Sequence, residues 1–309
     1  MLIRSDESTE GLSKVLPTGG STTYKTSIDA SDWRASRNQH QERVAYWAED
    51  RVTRANDNRK HPVHDFLFTY YSYRPAHLLR WSPGADVEIV GATEAELDWP
   101  LDYVQTTSGY VIPARTFPEH RQEYLRWAVE YLETTRDRTA AFNCFGLHEW
   151  AMVYKLDTPR HSQVPLRLTQ DEISAFVESS ELRCTHYDAY RFFTPQAAPR
   201  NRSLLSRHTT TEFDQPGCVH VTMDLYKYAH KISPWCPAEL VADSFLLAVE
   251  ARTLDMCASP YDLKDYGFEP VRIETLEGRA EYTRRQNDLR ERAMPIRERL
   301  ISVYRALIK

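Results

Sequence analysis

Glycine is scarce in this chain, at 10 of 309 residues. No GxGxxG loop and no GxxxxGKS/T loop occurs, which removes the usual backbone cradles for nucleotide phosphates. No GxSxG elbow is present either, so a serine nucleophile on a strand-to-helix turn is not expected. The five cysteines, Cys144, Cys184, Cys218, Cys236 and Cys257, are odd in number and form no CxxC pair. That spacing fits neither a disulfide framework nor a zinc knuckle, and predicts reduced thiols. No apolar run approaches ~18 residues, so no membrane span and no membrane partner is expected. The opening segment MLIRSDESTEGLSKVLPTGGSTTYKTS lacks the apolar stretch of a secretory signal, and a cytoplasmic location follows as the expectation. An excess of positive charge is also missing. Lys plus Arg number 39 against 44 Asp plus Glu, for a formal net charge of -5. Any surface for nucleic acid must therefore be a local one.

Aromatic residues are plentiful, at 12% with 18 Tyr and 7 Trp. Helical patterning dominates and predicts a mainly α protein: a single helical domain over residues 29–309. Residues 1–28, rich in Ser, Thr and Gly, read as a flexible arm. A charged helix is expected from about Trp33 to Asn56. Pro75 divides the aromatic stretch 61–81 in two, and its first part should be a buried helix, with a strand as the alternative. GADVEIVG and DYVQTTSGYVI, within 84–116, have the alternation and turn residues of a small β-hairpin insertion. Helical periodicity returns after Pro118, where Tyr124, Trp127, Ala128, Tyr131 and Leu132 share one face. Thr169 and Glu172 have capping-box spacing ahead of a short helix. LRCTHYDAYRFFTP reads as a strand or extended segment. Helices are expected near 218–232, from Pro237 to about Met256, and over 277–308, the last kinked at Pro295.

Titratable groups recur inside apolar sequence. His61 and Asp65 stand one helical turn apart. His148 and Glu149 sit within FGLHEWAMVY, where a carboxylate has to be paired or functional because burying it alone is costly. A salt bridge to Lys227 or Arg191 is the structural alternative for Glu149. His186 and Asp188 fall on one face if their segment is a strand. His220 and Asp224 fall on one face of a helix, followed by Lys227. Such clusters are how sites tune pKa values, although any single His–Asp pair serves equally as a structural hydrogen bond. HEWAM lacks the second His of HExxH. A metal reading would draw on His186, His220, Asp224 and Glu149, donors suited to iron, manganese or zinc.

Several of these segments, among them HPVHDFLFTYYSYRPAHLLRWSPG, FGLHEWAMVY, LRCTHYDAYRFFTP, PGCVHVTMDLYKYAHKISP and ELVADSFLLAVEARTLDMCASPYDL, resemble a largely actinobacterial family. Its members are commonly labelled 3-methyladenine DNA glycosylase and lack a helix-hairpin-helix motif. The resemblance spans about residues 32–290. It implies a DNA-repair hydrolase with DNA as partner and no cofactor. It further implies a flipped, cationic base held by aromatic rings. Tyr70, Tyr73, Trp81 and Trp150 would line such a pocket, and Arg191 and Lys227 would meet a phosphate. Glu149 or Asp188 would activate water, with His148 and His186 beside them. Two other functions remain open from the residues themselves: a metal-dependent oxidoreductase acting on a small molecule, and a non-catalytic ligand-binding protein.

Overall fold

The computed structural model describes residues 26–156 and 163–309. The chain is mainly α, with one small sheet. The described residues begin with strand β1 (Thr26–Ile28) and helix α1 (Ala30–Asn56). No Gly or Pro interrupts α1, and Trp33, Val44 and Ala48 line its buried side. The aromatic stretch that follows forms two short helices, α2 (Phe66–Tyr70) and α3 (Pro75–Leu78). Pro75 lies at the start of α3, where its missing N–H costs nothing.

Strands β2 (Val87–Val90), β3 (Val104–Gln105) and β4 (Gly109–Val111) come next. The expected hairpin is β3–β4, and β4 also pairs with β2. The sheet order is β1-β2-β4-β3, with β1 parallel to β2. The last three residues of the expected arm are therefore a sheet strand, and residues 1–25 of it lie outside the described residues. The Trp33 indole locks α1 to the sheet by donating to the Val90 carbonyl at 3.0 Å.

The remaining helices are α4 (Gln122–Asp137), α5 (Leu147–Ala151), α6 (Gln170–Ser179), α7 (Tyr187–Tyr190), α8 (Thr210–Phe213), α9 (Val219–Lys231), α10 (Ala238–Cys257) and α11 (Leu276–Leu307). Thr169 and Glu172 form the predicted capping box on α6. Residues 182–195 depart from expectation. Where a strand or extended segment was expected, α7 forms a helical turn, flanked by a single bridge from Leu182 to Asn201. Period-two patterning in so short an aromatic run does not separate a strand from a turn of buried helix.

The core is α9 and α10 packed against α11, with α4 against α11 and α9, and α1 beside α10. α10 buries apolar residues on every face, including Leu240, Phe245, Leu247 and Leu254. Each such side chain contributes roughly 1.5–3 kcal/mol. Among the described residues no helix is long and apolar enough to cross a membrane. With so little polar surface, the few charges on α10 stand out: Arg252 is 2% exposed and Asp255 0%.

Candidate functional site

The approach to α5 is made by two successive left-handed residues, Phe145 at φ 51° and Gly146 at φ 73°. Gly146 adopts this conformation freely, whereas a side chain at Phe145 costs about 1–2 kcal/mol. At Gly146 a Cβ would also stand 3.2 Å from the Ala258 Cβ. This tight corner brings α5 into the interior, where all five of its residues are buried. Consecutive residues on a helix diverge by ~100°. His148 and Glu149 therefore leave α5 in different directions, and both meet α10.

Arg252 and Asp255 lie one turn apart on α10. Arg252 Nη1 donates to Glu149 Oε1 at 2.7 Å and to Asp255 Oδ2 at 2.8 Å. Its guanidinium also covers the Phe66 ring, 3.9 Å from the centroid. The other Asp255 oxygen, Oδ1, shares a 2.6 Å hydrogen bond with His148 Nε2. Burial opposes a charge on His148, but the Asp255 carboxylate outweighs it and raises the pKa well above the usual histidine value. Burial likewise opposes ionisation of Asp255, and His148 overcomes that to hold the carboxyl well below its usual range. Two carboxylates, a guanidinium and an imidazole are thus gathered in a largely buried space.

His220, from the first turn of α9, stands edge-on to His148, their ring centroids 4.6 Å apart. Its Nε2 is 4.0 Å from Asp255 Oδ2, beyond hydrogen-bond reach. Its Nδ1 is buried without a hydrogen-bond partner among the described residues. Burial, reinforced by His148, pushes its pKa well below the ordinary value, so the ring is neutral at neutral pH.

A second buried network adjoins the first. The His186 ring stacks on His220 with centroids 5.4 Å apart. His186 Nδ1 lies 3.1 Å from Asp214 Oδ1, and the Tyr131 hydroxyl donates to Asp214 Oδ2 at 2.7 Å. His186 Nε2 is 3.9 Å from Asp224 Oδ2. Burial would lower the pKa of His186, but Asp214 and then Asp224 raise it. Asp224 in turn accepts hydrogen bonds from the Tyr71 hydroxyl at 2.8 Å and from Lys227.

A cavity of about 360 Å³ opens against the first network. Glu149, Arg252 and His220 reach its wall, Phe66, Tyr70, Phe192 and Tyr261 supply rings, and Arg51, Lys60, Asp65 and Asp188 supply charge. Lys60 is exposed and makes no ion pair among the described residues. A smaller void of about 10 Å³, room for one water, lies behind His148 and His220 and is walled by Cys144, Cys184 and Cys218. No family model, curated protein or solved structure matches this chain.

The structure thus brings Glu149, Asp188, Tyr70 and His220 to one cavity, with His148 directly behind it. The partner of Glu149 is Arg252, in place of the expected Lys227 or Arg191. Arg191 pairs with Asp188 at 3.0 Å, and Lys227 pairs with Asp224. His186 and Asp188 part company: His186 is buried against Asp214, while Asp188 lines the cavity. His220 and Asp224 belong to different networks, so the expected ligand set of His186, His220, Asp224 and Glu149 is split between them. Trp81 stacks on Trp33, Tyr73 packs on His230, and the Trp150 indole donates to the Ala258 carbonyl. None of the three lines the cavity. Arg252, Asp255 and Asp214 were not singled out in the sequence. The first two carried the same signal as Glu149, charge inside an apolar run; Asp214, in a Pro-Gly turn, carried none.

Proposed function

We propose that the chain is an N-glycosidic hydrolase acting on a modified, positively charged nucleobase, with Glu149 as the carboxylate that activates water. The observation that carries this reading is the Glu149 carboxylate, buried and clamped by Arg252 on the wall of a ring-lined cavity. The resemblance of the sequence motifs to glycosylase-labelled proteins points the same way.

The volume lies at the lower end of small-molecule pockets, a size that suits a base with its sugar. Tyr70, Phe192 and Tyr261 border the cavity with π surface, which attracts a cationic alkylated purine more than a neutral one. Exposed Lys60 and half-buried Arg51 provide positive charge for a phosphate. In the reaction, Glu149 takes a proton from water as the water oxygen bonds to the anomeric carbon. The carbon–nitrogen bond breaks and its electron pair passes to the base. An alkylated purine cation leaves neutral, so no acid is needed for its departure. Arg252 pairs with Glu149 and aims it, a positioning role.

Release of free base from methylated DNA and from methylated nucleosides, followed by chromatography, tests this reading. Wild-type protein should release 3-methyladenine, and Glu149→Gln should reduce the rate by about 100-fold or more. No release by folded wild-type protein from any of these substrates would sink the proposal. Binding of a methylated nucleoside without turnover would assign the cavity to recognition alone.

A further inference from the structure

The geometry points to a binding site for one divalent zinc-class metal ion formed by His148, His220 and Asp255. One donor atom from each of the three lies within 4.8 Å of the other two, and all three residues are buried. They come from three elements, α5, α9 and α10, so the cluster is a product of the tertiary fold and not of one helix.

The second observation is His220 itself. It is 6% exposed, its Nδ1 has no partner among the described residues, and its Nε2 reaches no hydrogen-bond acceptor. A buried imidazole nitrogen without a partner is costly and calls for a ligand or a water. A cation held at Nε2 would fix the ring, and a water in the small void behind it can satisfy Nδ1.

The donor set suits zinc: two imidazoles and one carboxylate, with the fourth position left to solvent, is a recurring arrangement in catalytic sites. Arg252 occupies Asp255 Oδ2, leaving Oδ1 for the ion. Zinc at ~2.1 Å from each donor needs donor separations of about 3.4 Å. His148 Nε2 and Asp255 Oδ1, now 2.6 Å apart, must part slightly, and His220 must close in. The charges also suit it. With His148 giving up its proton to become a ligand, Glu149 and Asp255 against Arg252 leave one net negative charge, which a dication carrying hydroxide neutralises. His220 borders the cavity, so the free position opens toward the space that Glu149 lines. The sequence FGLHEWAMVY lacks a second His at i+4, and the fold supplies one from α9.

This site does not depend on which substrate the cavity takes, and the test reads metal alone. Full-length protein, stripped with chelator and dialysed against zinc, should retain one ion per chain by elemental analysis and gain thermal stability. His220→Gln should reduce zinc affinity at least 10-fold, and the exposed His208→Gln should leave it unchanged. X-ray absorption on zinc-loaded wild-type protein should show nitrogen and oxygen donors with two imidazoles, a readout that needs no variant to fold. Retention below a tenth of an ion, zinc binding unaffected in a folded His220→Gln, or sulfur donors indicating capture by the cysteines behind the site would each overturn the proposal.

Discussion

Replacing Arg252 with Met tests whether one guanidinium holds the site together. Arg252 is 2% exposed, Glu149 4% and Asp255 0%, so losing a partner leaves a largely desolvated charge. Breaking a buried pair from one side costs about 3–5 kcal/mol. Asp255 would keep His148, but Glu149 would keep no cation. The substitution should therefore destabilise the fold by about 3–5 kcal/mol at pH 7, measured by urea unfolding. Adding Glu149→Gln removes the stranded charge, so the double variant should recover about 1–3 kcal/mol relative to Arg252→Met alone. A cost below about 1 kcal/mol for Arg252→Met, or no coupling between the two substitutions, would refute the buried-pair account.

Histidine burial predicts acid sensitivity. The pKa of His61 is pushed down to about 4 by burial and by His64, and that of His230 to about 4 by burial and by His77. Folded protein then binds fewer protons than unfolded protein between about pH 4 and 6.5, so stability is full above 6.5 and falls toward 4. A shift of this size is at most about 3 kcal/mol per group, and partial exposure reduces it to about 1–2. His148 and His186, raised, act in the opposite sense: their contribution is present below 6.5 and fades above neutrality. The urea midpoint should fall from pH 7 to pH 5, and fall less in His230→Gln. Gly278→Ala, in the first turn of α11, should destabilise although Gly→Ala in a helix usually gains about 1 kcal/mol, because the new Cβ would meet the Arg272 carbonyl oxygen at 1.9 Å. Thermal denaturation checks the sign. Burial raises the thiol pKa of Cys184, Cys218, Cys236 and Cys257, so these four should react with a thiol reagent only slowly in the native state, and all five cysteines rapidly in denaturant.

The long elements were legible because their signals are local. Periodicity marked α4, Ser31 or Asp32 the start of α1, Pro216 and Gly217 the approach to α9, Pro237 the start of α10, and Thr169 with Glu172 the cap of α6. Strand β1 was hidden because three residues of a polar stretch gain their order only by pairing with β2. The site divides the same way. An apolar context drew attention to His148, Glu149, His186 and His220, and all four are buried. Their partners were not legible. Spacing tells which residues share a face, and not what packs against it. His186 therefore found Asp214, 28 residues on, and His148 found Asp255, 107 residues on. Aromatic density was a weaker guide: Trp81, Tyr73 and Trp150 serve packing, while the cavity takes its rings from Phe66, Tyr70, Phe192 and Tyr261.

Arg252 and Asp255 occupy adjacent turns of α10, and both point to the same interior only because the helix arrives there in one rotational phase. Each added residue advances that phase by ~100°. A single-residue insertion near the start of α10 would swing both groups away together, although every side chain discussed above would still be present. An insertion of four residues would leave them ~40° from their original bearing, displaced by about one turn along the axis. Substitutions at this site act on one group at a time, but a change of length upstream acts on the guanidinium and the carboxylate at once.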